Sequence, residues 1–249
     1  MIKLFRKIRQ NLLSEGKTGK YLKYAIGEII LVVIGILIAL QLNNLNEAKK
    51  DRDYELKMLK ELKLALENDI DYFKNNLIRL NILDSAVTDF ISLAYNGYKM
   101  KDSILLKSFN EERWGHLRTG VDYRINFGPY EAIKSSGMDK ISNDSIRNVL
   151  IYFYDFELPR FVEHNLWYNR YFDQYLERQN AFLNEAIIRE NNGELTIEKD
   201  IPWDLYKRPE WIELLNDIGK STGWLSGRLE WFIPKMENIV DKLNTEIKE

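Results

Sequence analysis

The chain consists of helix-spaced apolar residues set among polar ones, except for one block that is apolar throughout. Ile29 to Leu40 contains no polar side chain. Extended to Ala25 and Leu42 the block makes about 27 Å of helix, against a hydrocarbon core of about 30 Å. Tyr21 and Tyr24 sit at its near edge, where an interfacial aromatic belt belongs. An uncleaved membrane anchor is the preferred reading. A signal peptide would need an unusually long leader, and its best small-residue site, Leu37-x-Ala39, is poor. A buried core helix of a soluble protein is the other alternative.

Beyond the block the spacing stays helical. Leu59, Leu62, Leu66, Ile70, Phe73, Leu77, Leu80, Leu83, Val87, Phe90 and Ala94 follow one another at three and four. No Pro or Gly lies between Leu40 and Tyr95, so the spanning helix is expected to continue into a long stalk, stopping at Asn96-Gly97. Val121, Tyr123, Ile125 and Phe127 alternate with polar residues, and Leu195-Thr196-Ile197 is their expected partner in a two-stranded patch. Gly128-Pro129 starts a short helix that Gly137 stops. Ser142 is read as the cap of the next helix, whose buried face is Ile146, Val149/Leu150, Phe153, Phe161, His164, Tyr168, Tyr171 and Tyr175. It is expected to kink or split at Pro159 and to stop at Asn192-Gly193.

The last helix begins at Pro209. Trp211, Leu215, Ile218, Thr222, Leu225, Leu229, Phe232, Met236, Ile239 and Leu243 form a coiled-coil-like seam whose phase survives Pro234. The pattern thus predicts an all-α chain: an N-terminal amphipathic helix, one transmembrane helix continuing into a stalk, and an elongated helical bundle with at most a small two-stranded β patch. The four long helical segments are 43–95, 143–157, 160–190 and 209–246.

Charge adds orientation. Residues 1–24 carry seven basic side chains and one acid, net +6, while the whole chain is −2. The positive-inside bias puts 1–23 in the cytoplasm, 24–42 across the membrane and 43–249 on the far side. Ile2, Phe5, Ile8 and Leu12 among basic residues suggest an amphipathic helix on an anionic leaflet, or else a disordered basic leader. Gly16-Lys17-Thr18 is no phosphate loop, because the first glycine of that motif is Asn11. The absence of cysteine excludes disulfides and a lipoprotein anchor. Net charge near zero leaves no nucleic-acid footprint.

MIKLFRKIRQNLL followed by YLKYAIGEIILVVIGILIALQLNN resembles the opening of an uncharacterised family of single-pass inner-membrane proteins of Gram-negative bacteria, a domain of unknown function. Tyr130, Lys134-Ser135-Ser136-Gly137 and Ile141-Ser142-Asn143 are similar to it as well. The resemblance implies an inner-membrane protein with a periplasmic domain, and brings no activity or site residues with it.

Candidate chemistry is sparse. Two histidines occur, His116 and His164, without a metal-binding spacing, and no cofactor is expected. Arg113, Trp114, His116, Arg118, Tyr123 and Arg124 form a varied loop patch, read either as a ligand site or as a cap over the bundle. The aromatics between Tyr152 and Tyr175 are read as core rather than as a stacking surface. Glu28 lies inside the span, shallow enough to pair with Lys20 or Lys23, or to carry protons. Gly219, Gly223 and Gly227, spaced by four, are read as a close-packing stripe against another helix.

The leading functional expectation is a non-catalytic, membrane-anchored periplasmic scaffold or assembly protein. Its partners would be lipid, copies of itself or other envelope proteins, and not nucleic acid. An accessory subunit of an energised or transport complex using Glu28 is the alternative. A periplasmic ligand-binding or sensor module is third, and no catalytic constellation points to an enzyme.

Overall fold

The computed structural model describes residues 18–96, 113–117, 121, 123–183, 186–191, 193–199, 201–202 and 204–248. The amphipathic segment 2–13, Arg118 and Gly97 lie outside them. The elements in order are α1 (Thr18–Tyr95), α2 (Gly128–Ser136), α3 (Asp144–Tyr152), a π-helical turn (Phe153–Glu157), α4 (Leu158–Asn180), β1 (Ala186–Asn191), β2 (Glu194–Lys199) and α5 (Pro209–Lys248). The chain is all-α apart from the β1–β2 hairpin. It divides into two compact units, residues 1–57 and 58–249.

In the first unit, α1 presents its apolar block outward. Ile29, Leu31, Leu37 and Leu42 are all exposed. The 18-residue apolar window has a mean hydropathy of 2.6 and none of it is buried. It is the one helix among the described residues that is long and apolar enough to cross a membrane.

The second unit has a continuous core. From Leu59 to Phe90 the helix-spaced residues of α1 are buried, with Leu77 only partly so; at the end of the run Leu93, not Ala94, turns inward. All ten seam residues of α5 are buried, Thr222 included, its hydroxyl donating to the Ile218 carbonyl at 2.8 Å. The centre is aromatic. Phe161 stacks on Phe232 with centroids 3.9 Å apart, and Phe73 meets both rings at 5.6 and 6.3 Å. Tyr175 hydrogen-bonds Ser221 at 3.0 Å, joining α4 to α5.

Three local expectations are corrected. Residues 121 and 123–127 form no strand. Val121 and Tyr123 do face the core, but the Asn126 N–H donates to the Asp69 carboxylate on α1, at 3.1 and 3.3 Å, rather than to a sheet. Leu195 to Ile197 instead pair with β1, Ile188 opposite Ile197 and Asn191 opposite Glu194. The chain between the paired Asn191 and Glu194 therefore turns a hairpin rather than stopping a helix, and position 192 itself lies outside the described residues. Gly193 has φ +82°, the left-handed conformation such turns need.

The helix after Pro159 is accordingly shorter, ending at Asn180. The cap of α3 is Asn143, not Ser142: Asn143 Oδ1 accepts from the Ser145 and Ile146 N–H groups. Asn143 Nδ2 also donates to Glu246 Oε2 at 2.6 Å, tying the start of α3 to the end of α5. At Pro159 the regular α-helix is interrupted, as expected: a π turn separates α3 from α4, which begins at Leu158. A proline ring clashes with the carbonyl four residues back, here Asp155, and Asp155 sits in the widened π turn that makes room.

Candidate functional site

The most distinctive surface lies where the π turn meets the middle of α5. Two helix irregularities border it. One is the π turn; the other is Pro234, which lacks the N–H that would bond the Glu230 carbonyl. Between them is a cleft of about 280 Å³ lined by Tyr152, Phe156, Glu157, Arg160, His164, Arg228, Trp231 and Lys235. Phe153 and Phe232, each next in sequence to a residue of the lining, are buried instead and stack on each other at 5.6 Å in the aromatic core.

The walls are aromatic and open to solvent. Tyr152, Phe156 and Trp231 are 57, 50 and 49 % exposed. Tyr152 and Phe156 pack on each other at 5.4 Å across the start of the π turn. Cations ride on these rings: Arg160 lies 5.2 Å from the Phe156 centroid, and Lys235 lies 3.7 Å from that of Trp231. Arg228 stands among Trp224, Trp231 and Phe161 at 5.3, 5.4 and 5.7 Å. Such contacts hold a guanidinium in place without neutralising it.

The balance of charge is positive. Glu157 is the one carboxylate of the lining, and it pairs with Lys235. Arg160 and Arg228 make no ion pair among the described residues, and Arg228 Nε is buried without a hydrogen-bond acceptor. A second, more apolar hollow of about 370 Å³ continues past Tyr152 and the Glu157–Lys235 pair, between Val149, Phe153 and Ile239. On the other flank of the turn, Lys134 of α2 holds Asp155 at 2.8 Å and keeps its carboxyl below the usual range.

The α5 contribution is a stripe. Trp224, Arg228, Trp231 and Lys235 are spaced four, three and four, each one position before a seam residue. That spacing was the signal in the sequence for this site. Arg160 gave none, because its placement depends on the π turn.

The residues singled out from sequence are dispersed. Trp114 is buried and stacks on Trp211 at 5.1 Å, in a cluster with Phe90 and Phe182. Tyr123 is buried elsewhere, edge-on to Phe73 and Phe161, and burial pushes its hydroxyl pKa far up. Arg113 pairs with Asp89 at 2.7 Å, His116 is half-buried and Arg124 is exposed. Trp114 and Tyr123 serve the core rather than a common pocket. His164 is exposed, not on the buried face of α4; the inward position is the next residue, Asn165. Tyr152 and Phe156 likewise leave the core that the other described aromatics of that run join.

Of the glycine stripe only Gly219 is at a close approach, where an added Cβ would stand 3.3 Å from Val87 Cγ1. A Cβ on Gly223 or Gly227 would meet nothing within 4 Å, because both face solvent beside the seam. The bundle's own helices therefore do not pack closely there. Glu28 is half-buried on α1.

Comparison with curated proteins and with solved structures finds no match. The model of one family, described as a family of unknown function (DUF6090), matches residues 28–203, from inside the apolar block to just before α5. The chain therefore belongs to that family of unknown function, DUF6090.

Proposed function

We propose that the chain is a membrane-anchored scaffold or assembly protein, its helical domain held on the periplasmic side of the inner membrane. The observation that carries this reading is the apolar block of α1, none of whose 18-residue apolar window is buried among the described residues. A helix of that composition left in water would be costly, since each fully exposed aliphatic side chain forgoes about 1.5–3 kcal/mol of burial. Lipid is the surrounding that removes the cost. The basic residues before the block favour a cytoplasmic N-terminus. Copies of itself or other envelope proteins are the partners of such a domain. Cross-linking in native membranes, followed by purification and identification of the products, is the test. A defined homo-oligomer or a stoichiometric envelope partner supports the scaffold, and a chain recovered only as a monomer overturns it.

A second reading is favoured by one observation, the solvent-open aromatic and cationic cleft. Under it the domain is a ligand-binding module, and anchoring serves to place that module at the membrane.

A further inference from the structure

We propose that the cleft between the π turn and α5 is a binding site for a small organic anion, a phosphate or carboxylate carried on a flat ring. This deepens the ligand-binding reading and is independent of the scaffold.

Three features specify the ligand. The first is charge: Arg160 and Arg228 reach the cleft with no ion pair among the described residues, whereas the third cation, Lys235, is matched by Glu157. Two unneutralised guanidiniums select a group of opposite sign, and their planar forks suit phosphate and carboxylate oxygens. The second is shape. Tyr152, Phe156 and Trp231 keep about half of their surface in water, although the chain has an aromatic core to hold such rings. Exposed aromatic walls offer stacking area to a planar body, which a bare inorganic anion would leave unused. The third is preorganisation. The Arg228 guanidinium is held among three rings, and the Glu157–Lys235 pair fixes one rim. Little side-chain freedom remains to be lost on binding. Cations that converge on one short cleft favour a compact ligand over an extended acidic segment, which would use the apolar hollow alongside as well.

Calorimetric titration of the full chain, in nonionic detergent, tests this with phenyl phosphate as the probe and inorganic phosphate and phenol as its two halves. Saturable one-to-one binding of phenyl phosphate is expected, with either half weaker by about tenfold or more. Arg160→Gln and Trp231→Leu, both at the open rim, should each weaken phenyl phosphate by about tenfold with unchanged far-ultraviolet circular dichroism, and Arg79→Gln should leave it unchanged. No saturable binding at millimolar probe, or binding indifferent to both rim substitutions, overturns the site. A poly-glutamate peptide that binds through Arg160 while phenyl phosphate does not would overturn the small-ligand assignment and keep the ligand-binding module. Failure of both probes overturns the module as well.

Discussion

The Lys235 ammonium lies 3.7 Å from the centroid of the Trp231 indole while also pairing with Glu157 across the groove. One side chain thus joins α5 to the π turn and seats the ring that forms a wall of the cleft. The Glu157 side chain is only 17 % exposed, so the ammonium stands in for much of the water its carboxylate has lost.

Removing Lys235 should therefore cost more than removing both charges. Lys235→Met leaves a largely buried carboxylate unpaired and is expected to destabilise by about 1–3 kcal/mol. Adding Glu157→Gln should recover part of that loss. A double-mutant cycle by denaturant unfolding measures the coupling, and strictly additive effects would contradict it.

The glycines of α5 should separate by environment. Gly223→Ala adds a methyl in open space and relieves the unfolded chain of freedom, so it should stabilise by about 0.5–1 kcal/mol. Gly219→Ala gains the same but must displace Val87, 3.3 Å from the new Cβ, and should come out near neutral. Thermal unfolding of the two variants checks the order, and a destabilised Gly223→Ala would place another chain against that face.

Asp69 gives a pH signature. Burial raises its pKa above the ordinary value, and the Asn126 N–H holds it back only in part. Its neutral form thus favours the fold, and this contribution is lost as pH rises through the folded-state pKa. Asp69→Asn keeps an acceptor for Asn126 and removes the charge. Its stability relative to the parent should rise as pH is raised from the ordinary carboxylate range towards neutrality, followed by urea unfolding at each pH. A difference that stays flat or falls would refute the assignment.

Where apolar spacing and core packing agree, the sequence is read without loss: all ten seam positions of α5 are buried, and Pro129 and Gly137 bound α2 as expected. Reading fails where a local choice is settled by a distant partner. The alternation at Val121 to Phe127 is a strand pattern, but Asp69, far away in sequence, takes the backbone donor. Asn192-Gly193 suits a helix stop and a hairpin turn equally, and pairing of the flanking strands decides. The cleft was half legible. Trp224, Arg228, Trp231 and Lys235 stand at helical spacing beside the seam, whereas Arg160 and Phe156 reach it through the π turn beside Pro159.

The most direct test of the anchored architecture uses the chain's lack of cysteine, which makes any introduced thiol unique. Lys3→Cys and Lys248→Cys variants, expressed in a Gram-negative host, are exposed as spheroplasts to a membrane-impermeant maleimide. The account predicts labelling at position 248 in intact spheroplasts and at position 3 only after lysis. Labelling at position 3 in intact spheroplasts, or protection of position 248 until lysis, would contradict it.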